Sequence, residues 1–205
     1  MELAGLRALV TGASSGIGAA IARELHARGA TLVLTARRRA QLDALAAELG
    51  SAEVIAADLG APGGAASVWS AASGKPVDIL INNAGFGYFR PFAEIDWQRD
   101  AEMVQLNITA LVELSKRFVA QGTGRYLVNI ASIGAYQSVP NMALYAASKA
   151  FVRNFSEALH DELRGTTGVT CICPGGTKTD FHAMASTATR SAMIMLRMPR
   201  SYTGW

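Results

Sequence analysis

Apolar residues fall in short continuous runs, separated by stretches in which they recur every third or fourth position. The runs at 7–11, 31–36, 53–57, 77–81, 125–130 and 169–173 predict six strands. Between the first three, Ile17, Ile21 and Leu25, then Leu42, Leu45 and Leu49, supply helical apolar faces, with Gly29 and Gly50 as stops. Val68 and Trp69 mark a third helix. The spacing predicts helix over 96–121, with Leu111, Leu114 and Phe118 inward, and over 143–163, where Phe151, Phe155, Leu159 and Leu163 form a core or interface stripe. Strands that alternate with helices imply an α/β fold with a parallel sheet covered by helices on both faces. Ligands then belong at the carboxyl ends of the strands.

Composition narrows the class. With 205 residues, 50% hydrophobic and 17% charged, residues 1–205 suit one globular domain. A net charge of +3 without an aromatic-interleaved basic stripe argues against nucleic acid. No apolar run reaches membrane-spanning length, and residues 1–7 lead into the first strand without a leader-like apolar segment. Cys171 and Cys173 are read as strand residues pointing in opposite directions, unable to bridge easily and packed as small apolar groups. These features set the expectation of a reduced, cytoplasmic protein. The histidines at 26, 160 and 182 are scattered, so no metal site is expected.

Three motifs add chemistry. The first strand runs into Gly12-Ala13-Ser14-Ser15-Gly16-Ile17-Gly18 and a helix. Free N–H groups at that helix start face an anion such as a pyrophosphate, and the glycines permit close approach. The second strand ends in Arg37-Arg38-Arg39, with no acid to accept from a ribose 2′-hydroxyl. Arginine there suits a 2′-phosphate, which points to NADP(H) over NAD. Asp58, after the third strand, could accept from an adenine amino group or merely cap its loop. Tyr145 and Lys149 stand four residues apart, on one face if helical. An ammonium beside a phenol favours the phenolate and would bring its pKa from about 10 toward the working range. Alone, Tyr-x-x-x-Lys occurs in many helices that do no chemistry.

Together, Thr-Gly-x-x-x-Gly-x-Gly at 11–18, Asn-Asn-Ala-Gly at 82–85, Asn107, Ser132, Tyr-x-x-x-Lys at 145–149 and Pro-Gly at 174–175 resemble the short-chain dehydrogenase/reductase family. The resemblance implies a Rossmann-like doubly wound fold with one parallel sheet, and an oxidoreductase that interconverts a small-molecule carbonyl and alcohol with a nicotinamide cofactor, usually as a dimer or tetramer. It implies that Tyr145 moves the proton and that Lys149 tunes it and holds the nicotinamide ribose. Ser132 would hydrogen-bond the substrate oxygen, and Asn107 would position a water. Gly12, Ser14, Ser15, Gly16, Ile17 and Gly18 would hold the pyrophosphate end. Arg37 and Arg38 would read the 2′-phosphate, and Asp58 and Leu59 the adenine. Asn83, Ala84 and Gly85 would line the inner edge, with Pro174, Gly175 and Thr177 beside the nicotinamide. Phe86, Tyr88, Phe89, Tyr136 and the segment after Thr177 are candidates for an apolar substrate wall.

The tail departs from the family. Residues 181–205 are rich in Met, Ala and Arg and show no final strand, so the C-terminal end reads as shortened or as a lid. That departure keeps a second reading open, a cofactor-binding but catalytically poor interaction protein. The intact Ser132, Tyr145 and Lys149 weigh against it.

Overall fold

The computed structural model describes residues 3–122 and 125–175. Thr177 and the atypical tail lie outside the described residues. Six strands are present among them: β1 (Arg7–Thr11), β2 (Thr31–Ala36), β3 (Glu53–Ala56), β4 (Ile79–Asn82), β5 (Tyr126–Ile130) and β6 (Gly168–Ile172). All neighbours pair in parallel, in the order β3-β2-β1-β4-β5-β6. This is the doubly wound order, whose direction of winding reverses between β1 and β4.

Both faces of the sheet are buried, which is why the strands read as continuous apolar runs. Ala8 and Val10 of β1 face one way, into a core with Leu32, Leu34, Ile79 and Ile81. Helices α1 (Gly16–Ala27) and α2 (Arg39–Leu49) cover that side through Ala19, Ala22, Leu42 and Leu45. Leu9 faces the other way, with Val33, Leu80 and Leu127. There α3 (Gly64–Ala72) contributes Val68, and α5 (Leu111–Ala120) contributes Leu114 and Phe118.

The predicted face of α1 needs a correction. Its buried residues are Gly18, Ala19 and Ala22, while Ile17, Ile21 and Leu25 are only partly buried. Small residues let α1 lie close to the sheet, and the larger side chains flank that contact. Gly50 closes α2 in the left-handed region at φ 76°, as a helix-stopping glycine should.

The helix predicted over 96–121 is not uniform. It comprises α4 (Trp97–Val104), a wider π-helical turn (Gln105–Ala110) and α5, with Asn107 buried inside that turn. Such turns often accompany functional residues. Helix α6 (Ala143–Glu162) fully buries the Tyr145/Lys149 face, while the predicted stripe is partly buried, with Leu159 and Leu163 on one core and Phe155 on another. Tyr145, Ala146, Ser148, Lys149, Val152 and Ser156 point inward, whereas Phe151 is 38% exposed and stacks on Phe155.

The β4 boundary also shifts from the predicted 77–81. Asp78 sits at the strand entrance, where its carboxylate accepts from the Arg7 N–H at 2.9 Å. Residues 171 and 173 lie on the same side, because strand side chains repeat every second residue. The Cys171 and Cys173 sulfurs are 4.0 Å apart, which corrects the expected opposite directions. No helix of the described residues is long and apolar enough to cross a membrane.

Candidate active site

The winding reversal between β1 and β4 opens a cleft of about 670 Å³ at the strands' carboxyl ends. Thr11, the last residue of β1, fastens this point. Its buried hydroxyl donates to the Ile81 carbonyl at 3.1 Å and accepts from the N–H groups of Asn83 (2.9 Å) and Ala84 (3.0 Å). The Asn83 amide in turn donates to the Thr11 and Gly12 carbonyls at 2.9 and 3.3 Å. The two predicted motifs are thus one structure. Thr11 belongs to the glycine-turn pattern, but the role of its hydroxyl depends on contacts with β4 and the residues after it.

The glycine-rich turn fits a large anionic group. Gly12 and Gly16 adopt φ of 66° and 55°, where glycine is favoured. A Cβ on Gly12 would lie 2.8 Å from Asn83 Nδ2 and 2.9 Å from Ala84 Cα. One on Gly18 would press on the Gly12 carbonyl and approach Asn83 Nδ2 to 2.5 Å. Gly18 therefore packs the turn from behind, while Gly12, Ser14, Ser15, Gly16 and Ile17 line the cleft. The start of α1 carries no side-chain cap, and Gly16 and Ile17 of its first turn border the cleft. As an expected outcome, Gly18→Ala should cost the chain its nicotinamide-nucleotide binding by wedging the turn apart, measured by fluorescence titration.

The arginines divide their roles. Arg38 reaches across the turn, donating to Ser15 Oγ at 2.6 Å and to Ser14 Oγ at 3.1 Å. Arg37 is 3.9 Å from the Asp58 carboxylate, which also accepts from the Gly60 N–H at 2.8 Å. Arg39 turns away and pairs with Asp43. Arg37, Arg38, Asp58 and Leu59 line one end of the cleft; Asn83, Ala84 and Gly85 line its middle. Of the two open readings of Asp58, the loop cap is visible directly.

The other end holds the phenol. Ser132, Tyr145, Lys149, Pro174 and Gly175 all border it. Ser132 accepts from the Gly134 N–H at 3.1 Å, and Pro174 accepts from the Ile133 N–H at 3.0 Å. Asn107 stands behind this wall, not in it. Its amide donates to the Phe86 carbonyl (2.9 Å) and to Ser148 Oγ (3.1 Å), and accepts from the Phe86 N–H (3.1 Å). A Cβ on Gly85 would lie 3.1 Å from Asn107 Oδ1 and 3.3 Å from Lys149 Nζ, so this glycine keeps the space between them open.

Electrostatics correct the expectation for Tyr145. Burial pushes its phenol above the ordinary value, and a hydrogen bond with Ser132 offsets part of that rise. Lys149 does not lower it in this geometry. Its Nζ is 5.9 Å from the ring centroid and donates to the Ile130 carbonyl at 2.8 Å. Burial also pushes the Lys149 ammonium down to about 8, against the opposing pull of Cys171 and Cys173. Tyr145 therefore rests as a neutral phenol, the form that can give a proton.

Of the proposed apolar wall, Phe86 lines the cleft. Tyr88 packs edge-on to Phe86 with Arg99 over both rings, and Tyr136 is 62% exposed beneath Arg153. Phe89 is half-buried and does not reach the cleft. Ile133, Gln137, Val139 and Met142 take those places. They sit in the loop around the 3₁₀ turn Ile133–Tyr136, where no periodicity marks them.

A family model described as short chain dehydrogenase matches residues 7–190. Nodulation protein G of Rhizobium sp. (strain N33) is 38% identical over 186 residues, spanning 85% of this chain and 74% of its own. L-xylulose reductase of Bos taurus is 32% identical over 172 residues, spanning 80% and 68%. A short-chain dehydrogenase from Sphingobium yanoikuyae, solved in complex with NADPH, superposes with a TM-score of 0.82 at 38% identity, covering 88% of this chain and 75% of that one.

Proposed function

The chain belongs to the short-chain dehydrogenase family, and we propose that it works with NADP(H), using Tyr145 as its proton donor and acceptor. It is an oxidoreductase that interconverts a carbonyl and an alcohol with a nicotinamide cofactor. The observation that carries the finer reading is the buried neutral phenol of Tyr145, hydrogen-bonded to Ser132 at the end of a cleft that leads back to two arginines.

Bound there, the cofactor supplies or accepts the hydride. The chain's residues do the rest. Gly12, Gly16 and the start of α1 hold the pyrophosphate, with Ser14, Ser15 and Ile17 beside it. Arg37 and Arg38 face the 2′-phosphate, while Asp58 and Leu59 flank the adenine. Asn83, Ala84, Gly85, Pro174 and Gly175 border the path to the nicotinamide, and Thr177 is assigned there through the family resemblance alone. During reduction, Tyr145 gives its proton to the carbonyl oxygen while Ser132 donates a hydrogen bond to the same oxygen. Lys149 holds the nicotinamide ribose. Asn107 and Lys149, separated by the gap at Gly85, return the proton from solvent through water.

Choice of NADP(H) rests on the two arginines at the adenosine end and the NADPH held by the Sphingobium relative. Arg37→Asp should weaken NADPH binding by about 10- to 100-fold while changing NADH little, because a charge-assisted contact becomes repulsion. Parallel fluorescence titrations measure the ratio, and an unchanged ratio would remove the basis for NADP(H). A homo-oligomer is also proposed, as dimer or tetramer, on the strength of Trp97 (78% exposed) and the Phe151–Phe155 stack. Light scattering tests it, and a monomer at micromolar concentration would refute it.

A further inference from the structure

Gly87 has neither a side chain nor a place in the motifs, yet it touches the centre of the site. A Cβ built on it would lie 2.5 Å from Tyr145 Cδ2, 2.8 Å from Cγ and 3.1 Å from Cβ. The aromatic ring occupies the volume that any other residue would need. Real carbon contacts do not reach such distances, so a side chain at 87 would displace either the ring or the loop carrying it.

That loop is not free to retreat. Asn107 bonds both the N–H and the carbonyl of Phe86, the residue just before Gly87. The same Asn107 amide donates to Ser148 Oγ at 3.1 Å, and Ser148 Oγ donates to the Tyr145 carbonyl at 2.7 Å. The circuit is closed: Asn107 to Phe86, along the chain to Gly87, across to the Tyr145 ring, and through its backbone and Ser148 back to Asn107. Asn107, Ser148 and Gly87 are all buried. On the opposite side, a Cβ on Gly134 would be 3.9 Å from Tyr145 Cε1, an ordinary contact. The ring is confined on the Gly87 side and less so on the Gly134 side.

We propose that Gly87 and Ser148 are positioning residues that, with Asn107, form a collar aiming the Tyr145 phenol into the cleft. The proposal rests on the reading of Tyr145 as proton donor. It gives Asn107 a mechanical task in addition to its place near Lys149, and it explains why the π-helical turn presents this amide inward. A fixed phenol matters because a misplacement of about 1 Å at a reacting group costs about 100-fold in rate.

The test uses Gly87→Ala and Ser148→Ala in the full chain, with carbon-13-labelled tyrosine and Tyr145→Phe to assign its signal. Among the described residues, Ser132 faces the phenol, and Lys149 lies 5.9 Å from the ring centroid. In Gly87→Ala, Tyr145 should titrate lower than in the parent, because a displaced ring loses burial. Its kcat should fall by about 10- to 100-fold with the NADPH Kd within about twofold. In Ser148→Ala, which adds no bulk, kcat should fall several-fold and the titration should move in the same direction. A folded Gly87→Ala protein with unchanged Tyr145 titration and unchanged kcat would overturn the proposal. Should Gly87→Ala fail to fold, an unchanged titration and kcat in Ser148→Ala would overturn it instead. Should the parent itself reduce no carbonyl, the functional reading falls while the titration still decides the collar.

Discussion

Tyr145→Phe should lower kcat for carbonyl reduction by about 10²- to 10⁴-fold while leaving the NADPH Kd within about threefold. The substitution removes one oxygen and leaves the ring, so its packing against Gly87 is kept. What is lost is the proton donor and the partner of Ser132. Because burial raises the phenol's pKa, the parent should hold the donor form across neutral pH, and reduction should decline only as pH approaches that raised value. Oxidation of an alcohol requires the phenolate and should run the other way, slowing as pH falls. Steady-state rates with a ketone panel, followed at 340 nm, measure both. Near-parental activity in Tyr145→Phe would remove the phenol from the chemistry. Retained NADPH binding in a parent that turns over no carbonyl would favour the second reading, a cofactor-dependent interaction protein.

The second large effect has opposite signs for activity and stability. Lys149 is 5% exposed, donates to a main-chain carbonyl and is pushed down to about 8 by burial. Below pH 8 it is charged both folded and unfolded, and folding bears the cost of burying the ammonium. Between about 8 and the ordinary value near 10.4, the unfolded chain holds the proton and the folded chain does not. Stability attributable to this group therefore rises with pH through that window. Its full span is roughly 3 kcal/mol by linkage. Lys149→Met keeps the length and removes the charge. Without cofactor it should be more stable than the parent at pH 7 by roughly 1–3 kcal/mol, with the gap narrowing toward pH 10. Turnover should fall by about 10²-fold or more, because the proton path and ribose contact are gone. Urea unfolding at several pH values checks the first half. A variant less stable than the parent at pH 7 would mean that the buried ammonium gains more from its contacts than it loses to burial.

Much of this was readable from order and period alone. Both sheet faces are covered, so the strands appear as plain apolar runs, and six were placed within about two residues. The glycine turn and the Tyr145–Lys149 pair are legible because their chemistry needs fixed short spacings, Asn83 and Ser132 enter through the family resemblance, and the fold brings them all to one cleft. What escaped depends on contacts between distant segments. Thr11's three hydrogen bonds all reach to β4 and the loop after it. Gly87 matters through a ring on α6, and no local pattern announces that. The buried face of α1 differs from the one its large apolar residues suggest because close packing selects Ala19 and Ala22 over larger neighbours. The direction of the phenol's pKa is not legible from spacing, which shows that two groups are near but not how deeply both are buried or that the Ile130 carbonyl accepts from the ammonium.

The most direct test is isotopic. Purified chain is incubated with NADPH carrying deuterium at nicotinamide C4, in each of its two stereochemical forms, together with a panel of aliphatic and aryl ketones and aldehydes. If the chain carries out Tyr145-dependent carbonyl reduction, one form passes its deuterium to the carbonyl carbon, an alcohol one mass unit heavier accumulates with the parent, and the Tyr145→Phe protein produces far less of it. Saturable NADPH binding with no labelled alcohol from any carbonyl would contradict that reaction.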